Sequence, residues 1–182
     1  MEVLIALLLL SVGIFNLAGL QSAAKKANYI VLQRTTALML ARDMAGKLRA
    51  NRASVSSYLS SPSGVGGGTL SRPAQECIES SSCLGGQMAE HDLWLWERAL
   101  DGANERRPVL GGDHNTGGLV SPTGCISGPA SAATGTYTIT IAWRGLSKLT
   151  NVSADNCGTG SELYGPNAEY RRLLSFAIFV GP

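Results

Sequence analysis

The sequence predicts an α+β fold, in which one long N-terminal helix packs on a small antiparallel β-sheet. Two observations carry this prediction. The chain has no proline before Pro62 and repeats its apolar positions there with helical spacing, whereas "TYTITIAW" alternates apolar and threonine side chains as a half-buried strand does. The 22 glycines lie mostly beyond residue 60, so a glycine-poor first third precedes a turn-rich remainder.

Residues 1–52 are predicted to form one helix with two parts. Residues 3–20, the apolar segment, make a helix of about 27 Å, close to the roughly 30 Å thickness of a bilayer's hydrocarbon core, so this part is predicted to span a membrane. Residues 21–52 carry an amphipathic stripe from Ile30 to Leu48, which we expect to cover the sheet. The helix is expected to fray within residues 51–57, where Ser and Asn compete for backbone hydrogen bonds.

The charges around the apolar segment match neither a signal peptide nor a plain signal anchor. A cleaved signal peptide begins with basic residues, whereas this chain begins with the acid Glu2. With Lys25 and Lys26 downstream, the positive-inside rule alone would keep the rest of the chain in the cytoplasm. We therefore expect a short basic leader upstream of Met1 in the precursor.

An even number of cysteines follows the apolar segment, which indicates an oxidising compartment. Zinc binding is the alternative, but neither close pair has the two-residue spacing of a zinc knuckle and the two histidines stand alone. Four cysteines allow three connectivities. We favour the one that joins cysteines neighbouring in sequence, with the bridges Cys77–Cys83 and Cys125–Cys157.

Residues 53–76 are predicted to be a Ser/Gly-rich linker, and residues 77–182 a disulfide-stapled, β-rich head. The linker's "GVGGG" lacks the Gly-Lys-Ser/Thr of a phosphate-binding loop, so we interpret it as flexible backbone. In the head, "MAEHDLWLWERAL" is an amphipathic helix. Trp94 lies off its apolar face and either packs elsewhere on the head or contacts a partner. The apolar face itself is formed by Met88, Leu93, Trp96 and Leu100.

Two further segments of the head are predicted strands. "LLSFAIFV" is apolar on both faces and is predicted to be central in the sheet. "GGLVSPTGCIS" supplies a shorter strand, which Pro122 confines to an edge or a kink. A long, turn-rich connection covers residues 145–169, and a Cys125–Cys157 bridge would hold it in place.

The composition argues against two classes of function. A net charge of +2 without a clustered basic face argues against nucleic acid as a partner. The neighbouring pairs His91–Asp92 and Asp113–His114 are not accompanied by a nucleophile motif such as G-x-S-x-G. We therefore predict that the chain is not an enzyme and holds no cofactor or metal, and we interpret the "NVS" at Asn151 as loop.

The stretch "MEVLIALLLLSVGIFNLAGLQ" resembles the N-terminus of type IV pilins and pseudopilins, in which a glutamate opens a long apolar helix. Further along, "HDLWLWERAL", "GCISG", "YTITIAWRG" and "YRRLLSFAIFV" resemble the C-terminal domain of PilV-type minor pilins. The resemblance implies a pilin-like fold and a precursor processed by prepilin peptidase. It also implies a protein that waits in the bacterial inner membrane with its head in the periplasm and then joins the pilus tip at the cell surface.

The resemblance also implies the partners and the residues that contact them. Other minor pilins and the major pilin would bind through the N-terminal helices, and a tip adhesin is a further candidate. Glu2 would pair with the N-terminal ammonium of an adjacent subunit, because an unpaired ion buried in a helical bundle costs several kcal/mol. Glu2 is thus predicted to set the axial register, and the small residues Gly13 and Gly19 to mediate helix packing.

The expected function is that of a PilV-like minor pilin, a structural subunit of the complex that initiates and caps a type IV pilus. A minor pseudopilin of a type II secretion system is the nearest alternative, because it shares the N-terminal segment. A membrane-anchored periplasmic binding module or enzyme is the alternative of another class.

Overall fold

A computed structural model describes residues 2–59, 64–78, 82–109, 112–129 and 134–181, with the backbone only at residue 113. The elements, in chain order, are α1 (Glu2–Ala50), a 3-10 helix (Arg52–Tyr58), α2 (Gly85–Leu100), β1 (Arg106–Val109), β2 (Gly112–Asn115), β3 (Thr123–Ser127), β4 (Gly135–Arg144), a short 3-10 turn (Glu162–Tyr164) and β5 (Arg171–Val180). The chain falls into two compact units, Met1–Arg34 and Thr35–Pro182. The predicted α+β class, with one long N-terminal helix and small antiparallel sheets, is confirmed.

The first unit consists of the N-terminal part of α1. Nothing in residues 2–34 breaks a helix: there is no proline, and the two glycines stand apart from each other. Among the described residues α1 is the one helix whose length and apolar composition would allow it to cross a membrane. None of its most apolar stretch is buried inside the protein.

The C-terminal part of α1 supplies one side of the core of the second unit. Its buried residues recur mostly at intervals of three and four, and none is branched at Cβ: Ala37, Ala41, Met44, Ala45 and Leu48. They belong to the same apolar cluster as Tyr137, Ile139 and Ile141 of β4, which is the pairing of helix stripe and strand face that we predicted. The start of the predicted stripe does not share this burial, since Ile30 is 51% exposed.

The end of α1 differs from the prediction of fraying. Instead of loosening, the chain kinks near Ser54 and continues as the 3-10 helix, which buries Val55 and Tyr58. The Asn51 side chain donates hydrogen bonds to the carbonyl of Gly85 (2.7 Å) and to the hydroxyl of Tyr58 (3.1 Å). The polar side chain that was expected to compete with the helix thus bonds to a distant part of the fold.

The main sheet has three antiparallel strands in the order β3-β4-β5, and β1 and β2 form a separate hairpin. The prediction that "LLSFAIFV" is central is wrong, because β5 lies at an edge and β4 is central. The prediction failed because both faces of β5 are apolar, which is typical of a central strand. Ile178 and Val180 face the core, whereas Phe179 on the other face is 62% exposed.

The second face of β4 is only partly wet, whereas we had expected it to face water: Thr136 is exposed and Thr138 is half-buried, but the rest of the face is covered. Thr140 is 4% exposed and Ala142 is fully buried, because the connection from residue 145 to 169 folds over them. Cys157 and Tyr164 of this connection pack with Ala142 and Cys125 in a second, smaller apolar cluster. A strand pattern reports only which side chains alternate, and a covering loop can bury small polar residues as readily as apolar ones.

Candidate functional site

The apolar segment of α1 presents an exposed hydrocarbon surface. Val3, Leu4 and Phe15 are 71%, 69% and 77% exposed, and every residue from 3 to 20 is classed as exposed. Contiguous apolar patches of more than a few hundred Å² mark contact with lipid or with another protein. The segment therefore requires a bilayer or partner helices around it.

Glu2 lies in the first turn of α1, at the start of this apolar surface. A carboxylate at this end of a helix interacts favourably with the helix dipole, by about 0.3–1 kcal/mol at an exposed site. Glu2 is exposed and forms no ion pair with any other residue that the structure describes.

Gly13 and Gly19 also lie on the exposed surface of the apolar segment. A Cβ added at either position would meet no atom within 4 Å. At 100° per residue, a separation of six positions places the two glycines about 120° apart around the helix. They open two different faces, so any close packing at these positions would involve two neighbouring helices.

In the head, a buried carboxylate of α2 binds the segment of residues 64–70, which we call the glycine segment. Glu97 is 1% exposed. Its Oε1 accepts hydrogen bonds from the backbone N–H groups of Gly66 (3.1 Å) and Thr69 (2.7 Å) and from the Thr69 hydroxyl (2.7 Å). Its Oε2 accepts one from the N–H of Leu70 (2.9 Å). These bonds compensate for burying the charge.

Asp101, one helical turn after Glu97, continues the same interaction. Its two carboxylate oxygens accept hydrogen bonds from the N–H groups of Gly67 and Gly68, each at 2.9 Å. Burial raises the pKa of Asp101, and these two N–H groups oppose the rise because they favour the ionised form. The nearby Glu97 charge adds to the rise in this pKa.

Glycine is required in this segment because the backbone approaches β3 closely. Val65 forms an isolated bridge with Gly124 of β3. The next residue, Gly66, has a φ of 155°, and a Cβ there would lie 2.2 Å from the carbonyl oxygen of Pro122. The prediction of a linker did not include these contacts. The sequence signal is two acids four residues apart, Glu97 in the last turn of α2 and Asp101 just after it, but nothing in the sequence links them to "GVGGG".

Of the pair His91–Asp92, the aspartate belongs to a buried network that holds three helices together. The Tyr58 hydroxyl donates a 2.6 Å hydrogen bond to one oxygen of Asp92, and the Lys47 ammonium lies 3.3 Å from the other. Burial, reinforced by the hydrogen bond to Asp92, raises the pKa of Tyr58 far above its usual range. The network ties α1, the 3-10 helix and α2 together within the second unit. The other pair lies in the β1–β2 hairpin, where His114 is exposed.

Trp94 packs on the head itself, which was one of the two predicted alternatives. The other, contact with a partner, stays a prediction. It is half-buried, with the guanidinium carbons of Arg98 and Arg72 5.1 Å and 6.0 Å from its ring centre. It lines an open cleft of about 620 Å³ together with Arg98, Arg106 and Leu163. No group of three or more His, Cys, Asp or Glu side chains that would hold a metal exists in the described part of the chain.

Two disulfides join Cys77 to Cys83 and Cys125 to Cys157, the pairs that we favoured. The second connects β3 to the connection that covers β4. The buried Arg171 guanidinium fixes the same connection by donating to the carbonyl oxygens of Cys157 and Ser153, each at 2.8 Å.

These features define an α+β protein whose architecture is consistent with the pilin fold: a long N-terminal helix with an exposed apolar segment, followed by small antiparallel sheets. Residues 19–94 match the Tt1218-like family model, described as type IV pilin Tt1218. The matched stretch runs from the end of the apolar segment into α2. No curated protein and no solved structure matches the chain.

The family match supports a pilin-like structural subunit, because pilins are structural proteins without enzymatic activity. Assembly with other pilins in a pilus is what such a family implies. The match and the long apolar helix are both consistent with membrane anchoring and with display at the cell surface.

Proposed function

We propose that the chain is a PilV-like minor pilin, a subunit of the tip complex that primes assembly of a type IV pilus. The observation that carries this proposal is the apolar segment of α1, which is fully exposed and begins at the exposed carboxylate of Glu2. The family match over residues 19–94 supports it and favours a pilus over a type II secretion system. The processes served would be those of such pili, cell adhesion and twitching motility.

Before assembly, the apolar segment spans the inner membrane and the disulfide-bonded head lies in the periplasm. Glu2 then sits near the lipid headgroups, where a charge costs far less than the roughly 2.5–3.5 kcal/mol measured at the centre of an inserting helix. Prepilin peptidase acts on the full-length precursor.

Assembly moves the helix sideways from lipid into a bundle of parallel helices. Lipid tails are as apolar as leucine, so this exchange has little hydrophobic driving force and its selectivity comes from packing and polar contacts. Glu2 supplies the polar contact, with the N-terminal ammonium of the adjacent subunit. Gly13 and Gly19 allow close approach on two faces, and contacts between heads select the neighbours among other minor pilins, the major pilin and a tip adhesin.

The test replaces the charge and keeps the shape of the side chain, with Glu2→Gln. Removing one partner of a buried ion pair costs about 3–5 kcal/mol, so we expect surface fibres to fall by about 100-fold or more while the amount of protein in the membrane is unchanged. Electron-microscopic fibre counts and immunoblots of the membrane fraction measure the two quantities.

The matched control is Glu90→Gln, the same chemical change at an exposed position of α2, which is expected to leave the fibre count unchanged. A membrane-anchored binding module would tolerate both substitutions. Normal fibre numbers with Glu2→Gln would therefore contradict the proposed function.

A further inference from the structure

The two edges of the main sheet differ in how they are occupied. At the outer edge of β3, the N–H of Val65 donates to the carbonyl of Gly124 (2.8 Å), and the N–H of Gly124 donates to the carbonyl of Val65 (2.7 Å). At the other edge, β5 pairs with β4 along its whole length, and no further strand pairs with it among the residues that the structure describes. The outer edge of β5 is thus the open one.

The bonds of Gly124 fix the direction of every backbone group in the sheet. Because both of its polar groups point outward, those of Thr123 and Cys125 point to β4, where their register partners are Ala142 and Thr140. An independent bond agrees with this alternation: the N–H of Arg144, another even-numbered residue of β4, donates on the β3 side, to Val120 (2.8 Å).

The backbone N–H and C=O groups of the odd-numbered residues of β4 therefore point to β5. Ile139 and Ile141 exchange hydrogen bonds with Phe176 and Leu174. The alternate residues of β5 direct their N–H and C=O groups away from the sheet: Leu173, Ser175, Ala177 and Phe179.

The open edge of β5 lacks the usual protection against pairing. Natural edge strands carry lysine, proline, bulges or inward charges that discourage a new strand. Residues 173–180 contain no charged residue, no proline and no glycine. The two arginines at the start of β5 are turned back to the preceding connection, where Arg171 donates to Cys157 and Arg172 to Ser147. The eight residues 173–180 thus present an uncharged, mostly apolar edge.

We propose that the outer edge of β5 receives an apolar β-strand from the head of a neighbouring pilin subunit with a different sequence. This inference rests on the proposed function, because it uses the polarity of a filament of parallel helices. Subunits of a polar filament are related head to tail, so two copies cannot pair β5 with β5 about a two-fold axis.

A head-to-tail contact between two copies is also disfavoured by the other edges of this chain. Val65 occupies the outer edge of β3 at Gly124. The β1–β2 hairpin carries Arg106, Arg107 and Pro108 on one of its two strands, which makes it a poor match for an uncharged edge. A pilin subunit of different sequence with an unpaired apolar strand is the occupant that these features leave.

Residue-level hydrogen–deuterium exchange of the full chain tests the inference, with fibres sheared from cells compared with the free chain in detergent. In the fibres, the amides of Leu173, Ser175, Ala177 and Phe179 should exchange more slowly by about tenfold or more. The amides of Leu174 and Phe176, which already bond to β4, should be protected in both samples.

A matched pair of variants gives a second readout. Ala177→Pro removes an outward N–H without touching the bonds to β4, whereas Ala177→Val keeps that N–H. We expect both variants to keep the unfolding temperature of the head within a few degrees, and Ala177→Pro alone to be depleted from fibres. Equal recovery of the two variants would overturn the inference.

The other outcomes separate the two proposals. Edge amides that exchange equally fast in fibres and in detergent overturn the strand-pairing inference and leave the proposed function intact. Edge amides protected in a concentration-dependent dimer of the free chain identify a second copy as the occupant, which also overturns the inference. Absence of the wild-type chain from fibres overturns the proposed function and this inference with it.

Discussion

Glu97 and Gly66 illustrate how single residues hold the head together over a long sequence distance. A carboxylate that is 1% exposed would be costly to bury alone, and four hydrogen bonds from the glycine segment compensate for it. The same contact requires a residue without a Cβ at position 66. At the residue scale, the glycine segment is therefore a binding partner of α2.

Gly66→Ala should destabilise the head by about 2 kcal/mol or more, because the new Cβ would lie 2.2 Å from the Pro122 carbonyl oxygen and the left-handed φ would be strained. Urea unfolding of the detergent-solubilised chain, followed by tryptophan fluorescence, measures the loss. Gly86→Ala is the control: it lies in α2 with open space around it, so it should be neutral or stabilising by up to about 1 kcal/mol. Equal effects of the two substitutions would refute the close-approach argument.

Tyr58→Phe should cost about 2 kcal/mol at neutral pH, because Asp92 loses a short hydrogen bond in a buried site. The pKa of Tyr58 is raised in the folded state, so the folded protein keeps a proton that the unfolded chain loses above about pH 10. The free energy of unfolding of the wild-type chain should therefore fall as the pH rises beyond that value.

The variant lacks this proton, so the difference in stability between wild type and Tyr58→Phe should shrink above about pH 10. Unfolding curves between neutral and alkaline pH follow that difference. Tyr29→Phe, in the first unit, should stay within about 0.5 kcal/mol of wild type at neutral pH. A constant difference between wild type and Tyr58→Phe across the alkaline range would contradict the raised pKa that burial and the hydrogen bond to Asp92 give Tyr58.

At the element scale, periodicity predicted α1, α2 and β4 correctly because each carries a long apolar stripe. It failed for β5, whose two apolar faces indicated a central strand although β5 is at the edge. The pattern records whether the side chains on each face are apolar or polar, and it contains no information on whether a neighbouring strand is present. The wet face predicted for β4 is wrong only at Thr140 and Ala142, because the connection that buries them has no periodicity of its own.

The Cys125–Cys157 disulfide secures that connection, so its removal should cost more than removal of Cys77–Cys83. The two bridges span 32 and 6 residues, and chain entropy gives about 3–4 kcal/mol for the longer loop and about 2 kcal/mol for the shorter. Double alanine variants, compared by urea unfolding, provide the measurement. An equal or reversed order would show that the connection is not held mainly by its bridge.

At the scale of the whole molecule, the two units call for different surroundings. The described part of Met1–Arg34 is largely exposed and requires lipid or other helices, whereas Thr35–Pro182 has its own core and two disulfides. The apolar segment and its glutamate are read directly from residue types, but the boundary after Arg34 falls inside the helix that the sequence analysis assigned to residues 1–52. The contacts of the glycine segment and the open edge of β5 depend on long-range pairing and were not predictable in the same way.

The central claim is that the apolar helix leaves the bilayer and becomes part of a surface fibre. Quantifying the chain in fibres sheared from cells, relative to a resident inner-membrane protein in the same fraction, measures this most directly. The proposed function predicts that the chain is enriched in the fibre fraction over that marker. A chain that stays with the membrane in the same proportion as the marker would contradict it.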